Sequence, residues 1–293
     1  MKTTPPSLAG QLRLVVALAV LSLTCAAGQA ASAPSDFKQC LGLQLWSLRA
    51  QAKLNPLAAL DLVRNYDLGD VEIVGTGGLK PAAYADALRQ RGLRGVSAFM
   101  GYERLKKDIA GAIAEAKTLG VQYLIVPTLA HQDGVFDAEA VAADFNAWGE
   151  ACQAAGLRFG YHPHGFEFRP MADGRTRFDV LMALTQPEKV CFEMDVFWVT
   201  HAGIDPVALL RKYAGRWLLM HVKDLRKGVV TGSHTGRAPA TDHVPVGQGQ
   251  VDWPAVLGAA QEVGVRHYFI EDETTAPLES IAATLDYLRS LKL

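Results

Sequence analysis

Short apolar runs recur along the chain, and most begin a few residues after a glycine that closes a helix-like pattern. The pairs are Gly69 before VEIV, Gly92 before LRGVSAF, Gly120 before VQYLIV, Gly156 before LRFGY, Gly215 before RWLLMHV and Gly264 before VRHYFI. Glycine just past a helix end adopts the left-handed cap conformation at no steric cost, and near-continuous apolar strands suit a parallel sheet covered on both faces. Two further runs, LGLQLWS at 41–47 and VCFEM at 190–194 after Gln186-Pro187-Glu188, bring the predicted strands to eight.

Amphipathic helices are predicted between them. Val141, Phe145, Trp148 and Cys152 form one apolar stripe, and Ile109, Ile113 and Ala116 form another. Asn55-Pro56 and Asp205-Pro206 pair a capping side chain with proline at the first helical position, and the last helix is expected over about 278–291. Eight alternating β/α units in a chain of this length predict an α/β fold, a closed (β/α)8 TIM barrel. An open doubly wound sheet would need a dinucleotide-type glycine turn; VGTGGL, with Gly75, Gly77 and Gly78, lacks the spacing and reads as a plain βα loop.

Composition adds a compartment and removes some partners. Lys2 and Arg13 precede the apolar stretch 14–23, and Gly28 and Ala30 follow at the positions a signal peptidase reads. Residues 1–30 are therefore expected to be a cleavable signal peptide and 31–293 a single barrel domain, periplasmic or secreted. LSLTC is a poor lipoprotein signal at Cys25, and no later run is long enough for a membrane anchor. Without Lys2 and Arg13, the 29 Lys and Arg fall to 27 against 30 Asp and Glu, a net charge near −3 that disfavours nucleic acid as a partner. Cys40, Cys152 and Cys191 are an odd set in apolar surroundings and are expected to be unpaired hydrophobes.

The candidate chemistry lies at the ends of the predicted strands, where barrels of this kind carry their active sites. Glu72 belongs to the second strand; YHPHGFEF places His162, His164 and Glu167 after the fifth. Asp195 ends the sixth, His221, Lys223 and Asp224 the seventh, and Glu271, Asp272 and Glu273 the eighth. Alternation puts Glu193 with Asp195, His221 with Lys223, and Glu271 with Glu273 on shared faces converging at the barrel mouth. Imidazoles and carboxylates meeting there suit a divalent cation, Mn, Zn, Co or Mg, with positions left for substrate. The competing reading is a buried ion-pair network that supports the barrel. His131, His201, His234 and His267 are expected to be solvated. Trp46, Phe99, Phe166 and Trp198 are candidates for stacking on a ligand ring, or for core.

These residues resemble the xylose isomerase-like barrels, which include sugar isomerases, ketose 3-epimerases, inosose dehydratases and endonuclease IV. The resemblance covers residues 40–293. It implies a metal held by four residues after strands five to eight, of which Asp195 in FEMDVFWVTHAG, His221 in LLMHVKD and Glu271 in FIEDE match the last three. For the first, His162 stands where many members have glutamate, and Glu167 folding back is the alternative. The segment TDHVPVGQGQVDW places His243 before Gly247 and Gly249, with Asp252 capping the next helix, and a loop from Leu225 to Ala240 that could close over substrate.

The resemblance further implies proton transfer next to a carbonyl of a small carbohydrate. The expected sites are His164, Glu167, Lys223 and Glu271 as catalytic groups; Glu72, Trp198 and His243 as substrate contacts; and His162, Asp195, His221 and Glu271 as metal ligands. Export argues for a free sugar or keto-sugar rather than a phosphorylated one. The expected function is isomerase or epimerase. The alternatives are a lyase or hydratase on 3-keto-glycosides or inosose-like polyols, and a non-catalytic periplasmic sugar-binding protein. Homo-oligomer formation stays open.

Overall fold

The computed structural model describes residues 1–3 and 36–293, so the expected signal peptide and Cys25 lie almost wholly outside the described residues. The described residues form ten strands: β1 Leu41–Gln44, β2 Asp70–Ile73, β3 Arg94–Phe99, β4 Tyr123–Val126, β5 Arg158–Tyr161, β6 Val190–Asp195, β7 Trp217–Val222, β8 Asp224–Leu225, β9 His243–Val244 and β10 His267–Ile270. Eight of them close into a parallel barrel in the order β1-β10-β7-β6-β5-β4-β3-β2, and each falls on a predicted apolar run. β8 and β9 form a separate antiparallel ribbon on the loop after β7.

The predicted caps are realised. Asn55, Asp205 and Asp252 each accept backbone N–H bonds at the start of their helices, and Gly120 and Gly264 close theirs in the left-handed conformation. Gly69 does not: the left-handed residue of that turn is Asp67, with φ 58°, because the helix ends two residues earlier than the pattern suggested. Val141, Phe145, Trp148 and Cys152 are all buried on one helix. No described helix is long and apolar enough to cross a membrane. Cys40, Cys152 and Cys191 are free thiols.

Side chains on the outer faces of the strands join the helices in one large core. The barrel interior is different. Val96, Tyr123, Ile125, Cys191, Leu219 and Phe269 form an apolar cluster of their own. Alternation along β6 and β7 then places Glu193, Asp195 and His221 further along the same interior, toward the C-terminal ends. Register fixes their neighbours: Asp195 pairs with His221, and Glu72 lies opposite Gln44 on one side and Ser97 on the other. Irregularities in pairing fall at Val71/Glu72 and Phe192/Glu193, where an extra residue re-aims the side chains.

Candidate active site

The loop after β5 shows how local sequence builds the site. His162 continues the strand ladder, donating its amide to Val126 O at 3.0 Å. Gly165 then turns with φ 92°, and a Cβ there would sit 2.9 Å from Trp198 O, so only glycine fits. The turn brings Glu167 back onto its own loop, where it accepts the His164 amide at 3.1 Å and the Tyr161 hydroxyl. Glu167 is fully buried and does not reach the barrel mouth, which corrects its expected catalytic or ligand role. Its carboxylate is used to brace the segment that carries His162 and His164.

Burial raises the Glu167 carboxyl from 4.5 to about 7, against the hydrogen bonds from Tyr161 and the backbone. A raised folded-state pKa means that the contribution is full below the unfolded value and is lost as pH rises through the folded one. The stability of the wild type relative to Glu167→Gln is therefore expected to fall by about 3 kcal/mol between roughly pH 4.5 and 8. Urea unfolding of both proteins across that range checks this; a constant difference contradicts it.

Asp195 has two jobs. Its Oδ1 caps the helix Val196–His201 by accepting Trp198 N at 3.1 Å. Its Oδ2 is buried without a hydrogen-bond partner, yet lies 3.8 Å from His162 Nε2, 3.7 Å from His221 Nδ1 and 3.8 Å from Lys223 Nζ. A buried carboxylate oxygen left orphaned among two imidazole nitrogens is the arrangement a cation would complete. His162, Asp195 and His221 offer ligand atoms that all lie within 4.8 Å of one another. Glu271 Oε2 joins them 3.2 Å from His221 Nδ1.

Glu72, Glu193 and His221 also lie within that distance of one another; in this second group Glu72 and His221 are already hydrogen-bonded to each other, while Glu193 keeps its buried Oε1 without a partner. Glu72 accepts from Gln44 Nε2, Ser97 Oγ and His221 Nε2, each at 2.6 Å. It holds the His221 ring from below and lines no part of the cavity, so the expected substrate contact is replaced by a positioning one. Glu193 Oε2 lies 3.2 Å from His162 Nδ1 and orients that ring in the same way. Burial, together with the Glu72 carboxylate, raises the Glu193 pKa well above the usual range.

Lys223 is 2% exposed, and its Nζ donates to Glu271 Oε2 at 2.9 Å and Glu273 Oε1 at 2.6 Å. Burial alone would lower its pKa, but Glu271, Asp195 and Glu273 raise it, so it stays an ammonium. Its charge is paired with two glutamates of the cavity wall and lies 5.4 Å from the ring centroid of Trp198, another wall residue. The same ammonium, with His221, holds the Glu271 carboxyl well below the usual range despite burial.

The site opens into a cavity of about 670 Å³ at the C-terminal ends of the strands. His162, His164, Trp198, His243, Glu271 and Glu273 line it, with Trp46 and Phe99 as further aromatic walls. Phe166 is not among them; it stacks on His131, 3.8 Å between centroids. Burial lowers the His164 pKa and takes His243 to about 4, and each ring keeps a buried Nδ1 without a partner. His243 is stacked on Phe197 at 4.1 Å. The loop after β8 is fastened by Gly232 and Ser233 amides to His201 O, which brings Gly236, Arg237 and Ala238 to the cavity edge. Asp224 anchors the far side, accepting Gly247 N, Gly249 N and Trp253 Nε1 at 2.9–3.0 Å. A Cβ on Gly249 would sit 2.0 Å from that carboxylate. His201 and His267, expected to be solvated, are buried against Phe197 and Phe269.

Gln44 and Ser97 are parts of the site with no counterpart among the residues expected from the sequence, whereas Glu273 lies at the mouth where alternation puts it. Gln44 and Ser97 carried a signal, as polar residues inside otherwise apolar strands.

Known proteins share this fold. An inosose dehydratase from Lacticaseibacillus casei is 26% identical over 150 residues, covering 48% of this chain and 49% of the relative. The chain spans about half or less of the length of the curated relatives it matches. A Parabacteroides distasonis sugar phosphate isomerase/epimerase of known structure superposes with a TM-score of 0.68 at 25% identity, covering 85% of this chain and 93% of that one. The IOLI protein, solved with a bound zinc atom, shares the fold with a TM-score of 0.61 at 14% identity, covering 85% of this chain and 96% of that one. Residues 82–291 match the family described as the xylose isomerase-like TIM barrel, and with the closed barrel this establishes that the chain belongs to that family.

Proposed function

We propose that the protein is a metal-dependent lyase that removes water from a free cyclic polyol ketone or keto-sugar. The observation that carries this is the pair of neutral imidazoles, His164 and His243, on the wall of the cavity that His162 and Glu271 also line, with Asp195 and His221 clustered beside His162. His162 Nε2, Asp195 Oδ2, His221 Nδ1 and the Glu271 carboxylate would hold the ion. A divalent ion bound there polarises a ketone and its neighbouring hydroxyl and so acidifies the C–H between them.

The chain's own groups supply the rest. With its pKa lowered by burial, the His164 imidazole is free to take the proton from the carbon next to the ketone. As the adjacent C–O bond breaks, the imidazolium returns that proton to the departing hydroxyl, which leaves as water. Lys223 supplies fixed positive charge behind Glu271 and Glu273 while negative charge develops on the substrate. The names of the curated relatives support elimination over isomerisation as the main reading. Epimerase or isomerase chemistry uses the same proton abstraction with return to carbon, and the Parabacteroides neighbour keeps it as the second reading. An unphosphorylated substrate follows from the export expected of residues 1–30.

The test is solvent exchange in D2O with zinc- or manganese-loaded protein and 2-keto-myo-inositol or 3-ketoglucose. A product lighter than the substrate by one water, with deuterium appearing next to the ketone in recovered substrate, is the expected result. Deuterium without loss of water turns the assignment to isomerase or epimerase. Binding without exchange at any pH leaves a sugar-binding protein.

A further inference from the structure

Trp46 lies two residues past the end of β1 and is 42% exposed, a costly position for an indole that belongs to no core cluster. It is nevertheless firmly held. Its amide donates to Gln44 Oε1 at 3.0 Å, its Nε1 donates to Glu273 Oε2 at 3.2 Å, and the Arg49 guanidinium lies 5.1 Å from its ring centroid. Glu273 also accepts from Lys223, so the indole is oriented by the same charged network that frames the candidate active site.

Trp46 and Val74 belong at once to the main cavity and to a second hollow of about 210 Å³. Arg49, Lys53, Pro56 and Tyr84 also line this hollow, between the turns that follow β1 and β2. An indole face beside guanidinium and ammonium donors suits a sugar ring, whose C–H face stacks on the aromatic surface while its hydroxyls accept hydrogen bonds. The main cavity lies in the range that takes ligands larger than a single ring.

We propose that Trp46 and the hollow beside it form a second ring subsite, and that the substrate is a glycoside of at least two rings. The reacting ring lies between His164 and Glu271, and its partner ring lies against Trp46, with Arg49 and Lys53 reaching its hydroxyls. This names the substrate class of the site assigned above and rests on that assignment for the identity of the reacting ring.

The test is calorimetric binding of glucose and of the disaccharides cellobiose, maltose and trehalose to the zinc-loaded full chain. At least one disaccharide is expected to bind about tenfold more tightly than glucose. Trp46→Ala is expected to weaken that disaccharide about tenfold more than it weakens glucose, and Trp46→Phe to keep most of the preference. No preference for any disaccharide, no binding of any sugar, or an equal loss for both sizes of sugar in Trp46→Ala would overturn the subsite. A preference retained by a protein that neither exchanges deuterium nor releases water keeps the subsite and removes the lyase.

Discussion

Asp195→Asn is expected to lower metal-dependent turnover by a factor of about a thousand or more, while leaving the barrel folded. Asn keeps an oxygen to accept the Trp198 amide, so the cap on Val196–His201 survives. What it removes is the anionic Oδ2 that lies unpartnered between His162 Nε2 and His221 Nδ1. Bound zinc after dialysis, measured by mass spectrometry, should drop from about one ion per chain to a small fraction, with the far-ultraviolet dichroism unchanged. The rise in Tm that zinc gives the wild type should vanish as well. Full metal content in the variant would show that Asp195 serves only as a helix cap.

Lys223→Met carries the largest expected cost in stability. The ammonium is the counter-charge for Glu271 and Glu273 and lies 3.8 Å from Asp195 Oδ2, in a region where each partner but Glu273 is buried. Removing it leaves those carboxylates without their cation, at about 3–5 kcal/mol. The loss is expected to shrink when zinc is added at saturation, since a divalent ion beside Asp195 and Glu271 restores positive charge. Urea unfolding of both proteins with and without metal measures this. A loss below about 1 kcal/mol in the metal-free protein would mean that the cluster does not depend on Lys223 for charge balance.

Much of this architecture is legible in the chain because the physical rules involved are local. Apolar runs preceded by a helix-ending glycine mark the strands, and Asp or Asn before proline marks helix starts, since capping and strand burial depend on a few neighbouring residues. Alternation along β6, β7 and β10 was enough to put Asp195, His221 and Glu271 at one end of one barrel.

Direction and depth were harder to read. Glu167 is close enough in sequence to reach the ligand position, but the Gly165 turn aims it at the His164 amide and Tyr161. Spacing gives reach and not direction. Glu72 and Glu193 sit at pairing irregularities between strands, which only the assembled sheet creates. Lys223 shares a face with His221, but only the assembled barrel shows that its length carries the ammonium onto Glu271 and Glu273 after the neighbouring strand. His201 and His267 looked like surface residues because a lone histidine carries no sign of burial; the rings of Phe197 and Phe269 that cover them come from packing.

The most direct measurement is an anomalous difference map from crystals of the protein grown with zinc or manganese. A single peak about 2.0–2.3 Å from His162 Nε2, Asp195 Oδ2, His221 Nδ1 and a Glu271 oxygen is the predicted result. A peak bonded to Glu72 and Glu193 instead, or no peak at the barrel mouth, would contradict the account.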